Sequence, residues 1–119
     1  MANKTANLIQ TLLDLKTTDG AGDYKAFSRG NGEIPITDNA YMDIFGVWGG
    51  ATVKFTKKAT DSEATDFDIP IYDGAVELAI TSNRMVRVSL YSGEEIRAVV
   101  SGATGTTKLT VHLYEGRNA

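Results

Sequence analysis

His112 is the only histidine of the chain, and a Ser-His-Asp mechanism would need a nucleophile and an orienting carboxylate beside it. Serine and aspartate are plentiful, so their presence selects no triad. His112 alternates with the apolar Val111 and Leu113, on the side shared by Thr110 and Tyr114. That spacing predicts an exposed or interface histidine. Asp61, Glu63, Asp66 and Asp68 lie in one short stretch, and hard cations such as calcium take several oxygen ligands. The stretch lacks the central glycine and distal glutamate of an EF-hand, so a solvated acidic loop is expected. Asp14, Asp19 and Asp23 are spread more widely. Glu94 and Glu95 follow Gly93 at a turn, and adjacent residues on a strand face opposite ways. Glycoside cleavage needs two carboxyl groups facing one cleft, which nothing in the spacing provides. The run from Gly46 to Gly50 lacks the lysine and Ser/Thr of a phosphate loop. So little of an active-site constellation is present that no enzyme is expected, with no catalytic residue, no cofactor and no metal.

The better candidates are for contact. Arg87 falls on the polar side of its strand, and Arg97 is expected to face it across the Ser92-Gly93 turn. Arginine suits interfaces because its planar fork pairs with carboxylates; a solvated sheet face is the competing reading, as it is for Arg84. Tyr91 and Tyr114, also on polar sides, add weight to an interface. Trp48 is a large anchor for either the core or a subunit contact. Leu12 and Leu13, in the first segment, complete the interface candidates.

The chain has 119 residues, which suits one domain able to bury a core without staples. It has no cysteine, which excludes disulfides and thiolate metal sites. Its net charge of −3 provides no basic field to attract nucleic acid. No run approaches the roughly 18 apolar residues of a membrane helix. The start lacks a charged-then-apolar leader, so maturation in the cytoplasm where the chain is made is expected. Nucleic acid and membrane are therefore not expected partners.

The elements that must position these residues read as strands. Twelve glycines and only two prolines accompany many threonines, a composition of turns and strands. Leu8, Ile9, Leu12, Leu13 and Leu15 fit either a short amphipathic helix or an extended segment; the threonines around them favour an extended arm. Residues 24–28 and 33–37 are short strand candidates separated by a turn at 29–32, and Pro35 suits an edge. Residues 41–45 alternate loosely. Ala51, Val53 and Phe55 point one way and Thr52, Lys54 and Thr56 the other. Residues 59–66 read as a polar surface loop. Phe67, Ile69 and Ile71 alternate with Asp68, Pro70 and Tyr72, and Asp73-Gly74 is a hairpin signal. Three more alternating runs hold Val76, Leu78 and Ile80, then Val86, Val88 and Leu90, then Ile96, Ala98 and Val100. Turns at Ser82-Asn83, Ser92-Gly93 and 102–105 punctuate them, and Leu109, Val111 and Leu113 close the series. Short strands with turns roughly every ten residues predict an all-β fold, a single antiparallel β-sandwich or jelly roll. Residues 1–16 are expected as an N-terminal arm or short strand, and 17–119 as the sandwich.

The chain holds Thr11-Leu12-Leu13, Asp19-Gly20-Ala21-Gly22, Gly46-Val47-Trp48-Gly49-Gly50-Ala51-Thr52-Val53 and Arg87-Val88-Ser89, followed by Val100-Ser101-Gly102-Ala103-Thr104-Gly105 and the last strand from Lys108 to Leu113. Together these stretches resemble a family of small all-β structural proteins of tailed-phage virions. Two features depart from the family pattern: the acidic loop is longer, with its Asp-Gly turn later, and the start is less apolar. The resemblance implies a capsid decoration (cement) protein, a head fibre or a tail accessory. The implied partners are the chain itself, as a homotrimer, and the major capsid protein or other virion proteins. A tail or fibre module binding a host receptor or glycan is the rival, with Trp48, Tyr72, Tyr91 and Tyr114 as its aromatics.

Overall fold

The computed structural model describes residues 6–28, 39–58 and 69–116. The predicted turn at 29–32, the strand at 33–37 with Pro35, the acidic loop at 59–66, and Phe67 and Asp68 lie outside the described residues, as does the start of the expected arm. In chain order the strands are β1 (Ala6–Lys16), β2 (Gly20–Ala21), β3 (Lys25–Ala26), β4 (Ala40–Val47), β5 (Thr52–Lys58) and β6 (Ile69–Pro70). They continue as β7 (Tyr72–Asp73), β8 (Val76–Glu77), β9 (Ala79–Ile80), β10 (Arg84–Val88), β11 (Glu95–Ser101) and β12 (Lys108–Gly116). No helix occurs among the described residues, and the predicted all-β, sandwich-like class is what the chain adopts.

One main sheet has the order β1-β12-β4-β10; the other runs β2-β11-β5-β6, with β3 added on β11 and β9 on β5, and β7 and β8 form a separate two-stranded sheet. All pairings are antiparallel. Taking β2–β3 as one segment and β6–β9 as another leaves eight segments. Their order is then 1-8-3-6 in one sheet and 2-7-4-5 in the other. First pairs with last, second with seventh, third with sixth and fourth with fifth, so a long two-stranded ribbon is rolled over a core, as in a jelly roll.

The alternation read from the sequence is what fills that core. Met42 and Ile44 of β4, Val53 and Phe55 of β5, and Ile96, Ala98 and Val100 of β11 are buried in one cluster with Leu109, Val111 and Leu113 of β12. Each large side chain withdrawn from water in this way contributes about 1.5–3 kcal/mol.

Three expectations are corrected. The turns at 82–83, 92–93 and 102–105 each carry the chain from one sheet to the other: β9 and β11 belong to one sheet, β10 and β12 to the other. Arg87 and Arg97 therefore do not face each other across the Ser92-Gly93 turn. The hairpin of β7 and β8 has Gly74 and Ala75 at its centre, because Asp73 is still paired with Val76. Gly74 takes φ +69° while Ala75 keeps an ordinary negative φ, the signs of a type II′ turn. The run through Ile69 and Ile71 is not one half-buried strand. It breaks after Pro70, which has no N–H to extend a ladder, and Ile69 and Val76 are left exposed.

The first segment is extended and belongs to the sheet of its own chain: β1 pairs along β12 from Ala6 with Gly116 to Lys16 with Leu109. Register shifts interrupt it at three places. One lies between Thr11 and Leu13, and it turns two consecutive residues, Leu12 and Leu13, into the core.

Candidate interaction surface

The outward side of the β1-β12-β4-β10 sheet brings together the side chains best placed for contact. Directly opposed residues share a face. Tyr114 thus stands beside Tyr41 and Leu8, His112 beside Asp43 and Thr11, and Thr110 beside Phe45. Farther across β4, Met85 lies opposite Asp43 and Arg87 opposite Tyr41. Leu8, Val47 and Met85 are each more than half exposed, at 52%, 55% and 54%. Between them runs a row of rings. Phe45 and His112 meet edge to face at 5.5 Å and 77°, and His112 and Tyr114 at 6.1 Å and 82°. The Tyr114 hydroxyl lies 3.4 Å from His112 Nδ1. His112 is therefore a half-buried member of an aromatic row, held as a packing residue on the outward face.

The alternation explains why these residues share a face. With Met42 and Ile44 driven inward, Tyr41, Asp43 and Phe45 must point outward. Thr110 is outward in register but buried. The last irregular stretch of β1 curls over it, and Leu15 N–H donates to Thr110 Oγ1 at 3.2 Å. Leu15 adopts φ +55° there, a region that costs a side chain with a Cβ about 1–2 kcal/mol.

Trp48 is half-buried against the core at one end of the sandwich. Its indole Nε1–H donates to Asn83 Oδ1 at 2.9 Å, and the same oxygen accepts Gly46 N–H at 3.0 Å. Thr107 Oγ1 donates to the Trp48 carbonyl at 3.0 Å, and Thr104 Oγ1 to that of Gly49 at 3.0 Å. Asp19 joins the same end by accepting Ala103 N–H at 2.7 Å. The glycines are required by crowding. A Cβ on Gly46, at φ +142°, would lie 2.1 Å from the Lys108 carbonyl; one on Gly49, at φ +58°, would meet three threonine hydroxyls within 2.9 Å. The close approach that these glycines allow is made by the chain's own backbone and threonines.

The remaining candidates are dispersed. Leu12 and Leu13 are spent on the core. Tyr91 is 80% exposed, in the β10–β11 connection. Because Val88 pairs with Ala40 while Trp48 follows Val47, Tyr91 and Trp48 lie at opposite ends of the sandwich. Arg97 is on the outward side of the other sheet, where its guanidinium lies 4.7 Å from the Tyr24 ring and its Nε–H donates to Thr56 Oγ1 at 3.1 Å.

The carboxylates are used structurally. Glu94 accepts Tyr91 N–H at 2.7 Å and pairs with Lys57 at 3.5 Å; Glu95 pairs with Lys58 at 3.3 Å. Among the described residues no three His, Asp or Glu side chains gather as a metal ion would require; Asp61, Glu63, Asp66 and Asp68 lie outside them. Sequence reading missed Tyr41, Phe45, Val47, Met85 and Leu8. The available signal was the i, i+2, i+4 spacing of Tyr41, Asp43 and Phe45, which a strand places on one face. No protein-family model matches the chain, and no curated protein and no solved structure matches it.

Proposed function

We propose that the chain is a structural component of a tailed-phage particle, a capsid decoration or cement protein acting by contact as a homotrimer. The observation that carries this reading is the outward face of the four-stranded sheet. Aromatic and aliphatic side chains are held there in fixed geometry on a sandwich and left partly in water. Exposed apolar patches of this kind mark protein–protein surfaces. The resemblance of the Gly46-to-Val53 stretch and the other motifs to phage virion proteins supplies the particle. On a capsid lattice, modest contacts gain strength by repetition.

The rival reading, a receptor- or glycan-binding module of a tail or fibre, draws on the exposure of Tyr72 and Tyr91, at 59% and 80%. The separation of Trp48 and Tyr91 to opposite ends gives it no common platform, and the decoration reading is preferred. Light scattering during size exclusion, followed by co-sedimentation with capsids lacking decoration, tests the proposal. The expected result is a trimer that binds the capsids, and loss of both properties in the double variant Val47→Asp, Met85→Asp with folding intact. A monomer that ignores capsids would overturn it.

A further inference from the structure

The two open sides of the sandwich are finished differently. On the side of β1 the chain closes its own gap. Gln10 Nε2–H donates to the Ala26 carbonyl at 3.1 Å, and a Cβ on Gly22 would lie 2.7 Å from the Leu12 carbonyl. On the other side, β10 ends its sheet and, among the described residues, pairs only with β4. Its second row of backbone N–H and C=O groups faces away from the sheet, a template for a further strand.

Beside that edge the sheets part to form a cleft of about 490 Å³. Ile71, Leu78 and Val86 give it an apolar lining. Lys57, Arg84 and Arg87 also line it, and among its described lining residues Asp73 is the one carboxylate. Lys57 is partly committed, to Glu94 at 3.5 Å and to the Ser89 carbonyl at 3.4 Å. Arg84 and Arg87 are exposed, and neither pairs with a carboxylate among the described residues.

A second copy is a poor occupant. Antiparallel joining of two β10 edges would gather Arg84 and Arg87 of both copies along one seam, where like charges repel. An extended acidic segment has the reverse property. We infer that the β10 edge and its cleft take an acidic, extended peptide segment of another protein, added to the sheet as a strand. Main-chain hydrogen bonds to β10 hold it. Apolar side chains at its inward positions enter the cleft and carboxylates at the outward ones meet Arg87, while Arg84, opposite Ile44 and so on the inward side, adds its charge to the cleft lining. This is the strand-addition mode, in which backbone supplies affinity and alternate side chains supply specificity. The inference does not rest on the particle role and holds for any acidic partner chain.

The test is an NMR titration of the isotopically labelled full chain. One eight-residue peptide alternates glutamate with valine; a second alternates lysine with valine. The glutamate peptide is expected to shift the amides of residues 84–88 saturably, and the lysine peptide to leave them in place. Arg84→Glu combined with Arg87→Glu should weaken binding at least tenfold while the dispersed spectrum of the folded chain persists. Lys25→Glu, on the closed side, should leave binding unchanged. No shift along β10, equal response to both peptides, or indifference to the charge reversals would overturn the inference.

Discussion

The outward faces of the two sheets are built by the same alternation and end as opposites. On the β2-β11-β5 face, charges are answered within the chain. Lys54 pairs with Glu77 at 3.5 Å and Lys58 with Glu95 at 3.3 Å. The Tyr24 ring lies under both Lys58 Nζ, at 4.6 Å, and the Arg97 guanidinium, at 4.7 Å. On the β12-β4 face, rings meet edge to face, with Leu8, Val47 and Met85 around them more than half in water. A face whose charges are paired and whose ring is covered by cations is complete in solvent. A face that leaves apolar surface uncovered gains free energy when something covers it. The difference points to the four-stranded sheet as the side that makes contacts.

The comparison is broken most severely at Gly46, where β4 and β12 approach too closely for a side chain. Gly46→Ala should destabilise the fold by about 3 kcal/mol or more, through a forbidden φ and a displaced Lys108 carbonyl. Its urea midpoint should fall accordingly, and the aromatic row should lose its alignment. A midpoint equal to that of the parent chain would contradict the crowding. A milder intervention leaves the backbone alone. Phe45→Ala removes a half-buried ring and its edge contact with His112, for an expected loss of about 2 kcal/mol in chemical denaturation. The smallest effect belongs to the charged face. Tyr24→Leu keeps an apolar body but removes the ring under Arg97 and Lys58, and should cost about 1 kcal/mol. That loss should shrink in high salt, unlike the loss at Phe45. Equal salt dependence for the two variants would erase the distinction between the faces.

Much of the strand content was legible because a period of two is a local property. The runs through Val53 and Phe55, Ile96 to Val100, and Leu109 to Leu113 were read inward and are buried. The sheet each run joins was not legible: turns at 82–83 and 92–93 resemble hairpin turns in composition, yet each carries the chain across to the other sheet. Nor was the bulge that buries both Leu12 and Leu13 legible, since strict alternation would have turned one of them outward. The candidate surface was half visible. Alternation by itself puts Tyr114, Arg87 and His112 on outward sides, but their neighbours Tyr41 and Phe45 sit in a run whose alternation is loose.

The sequence by itself determined the all-β class, the inward sides of the regular strands and the absence of disulfides, because each follows from residue type or from neighbours two positions apart. Tertiary structure alone decided that Trp48 is clamped by Asn83 and that His112 packs between Phe45 and Tyr114. It also decided that β1 lies along β12 and that, among the described residues, one edge is shut while the other stays open. These depend on pairing residues as distant as Ala6 and Gly116. Such pairings are selected by the closure of the whole ribbon over one core, and no local window of the chain contains both partners.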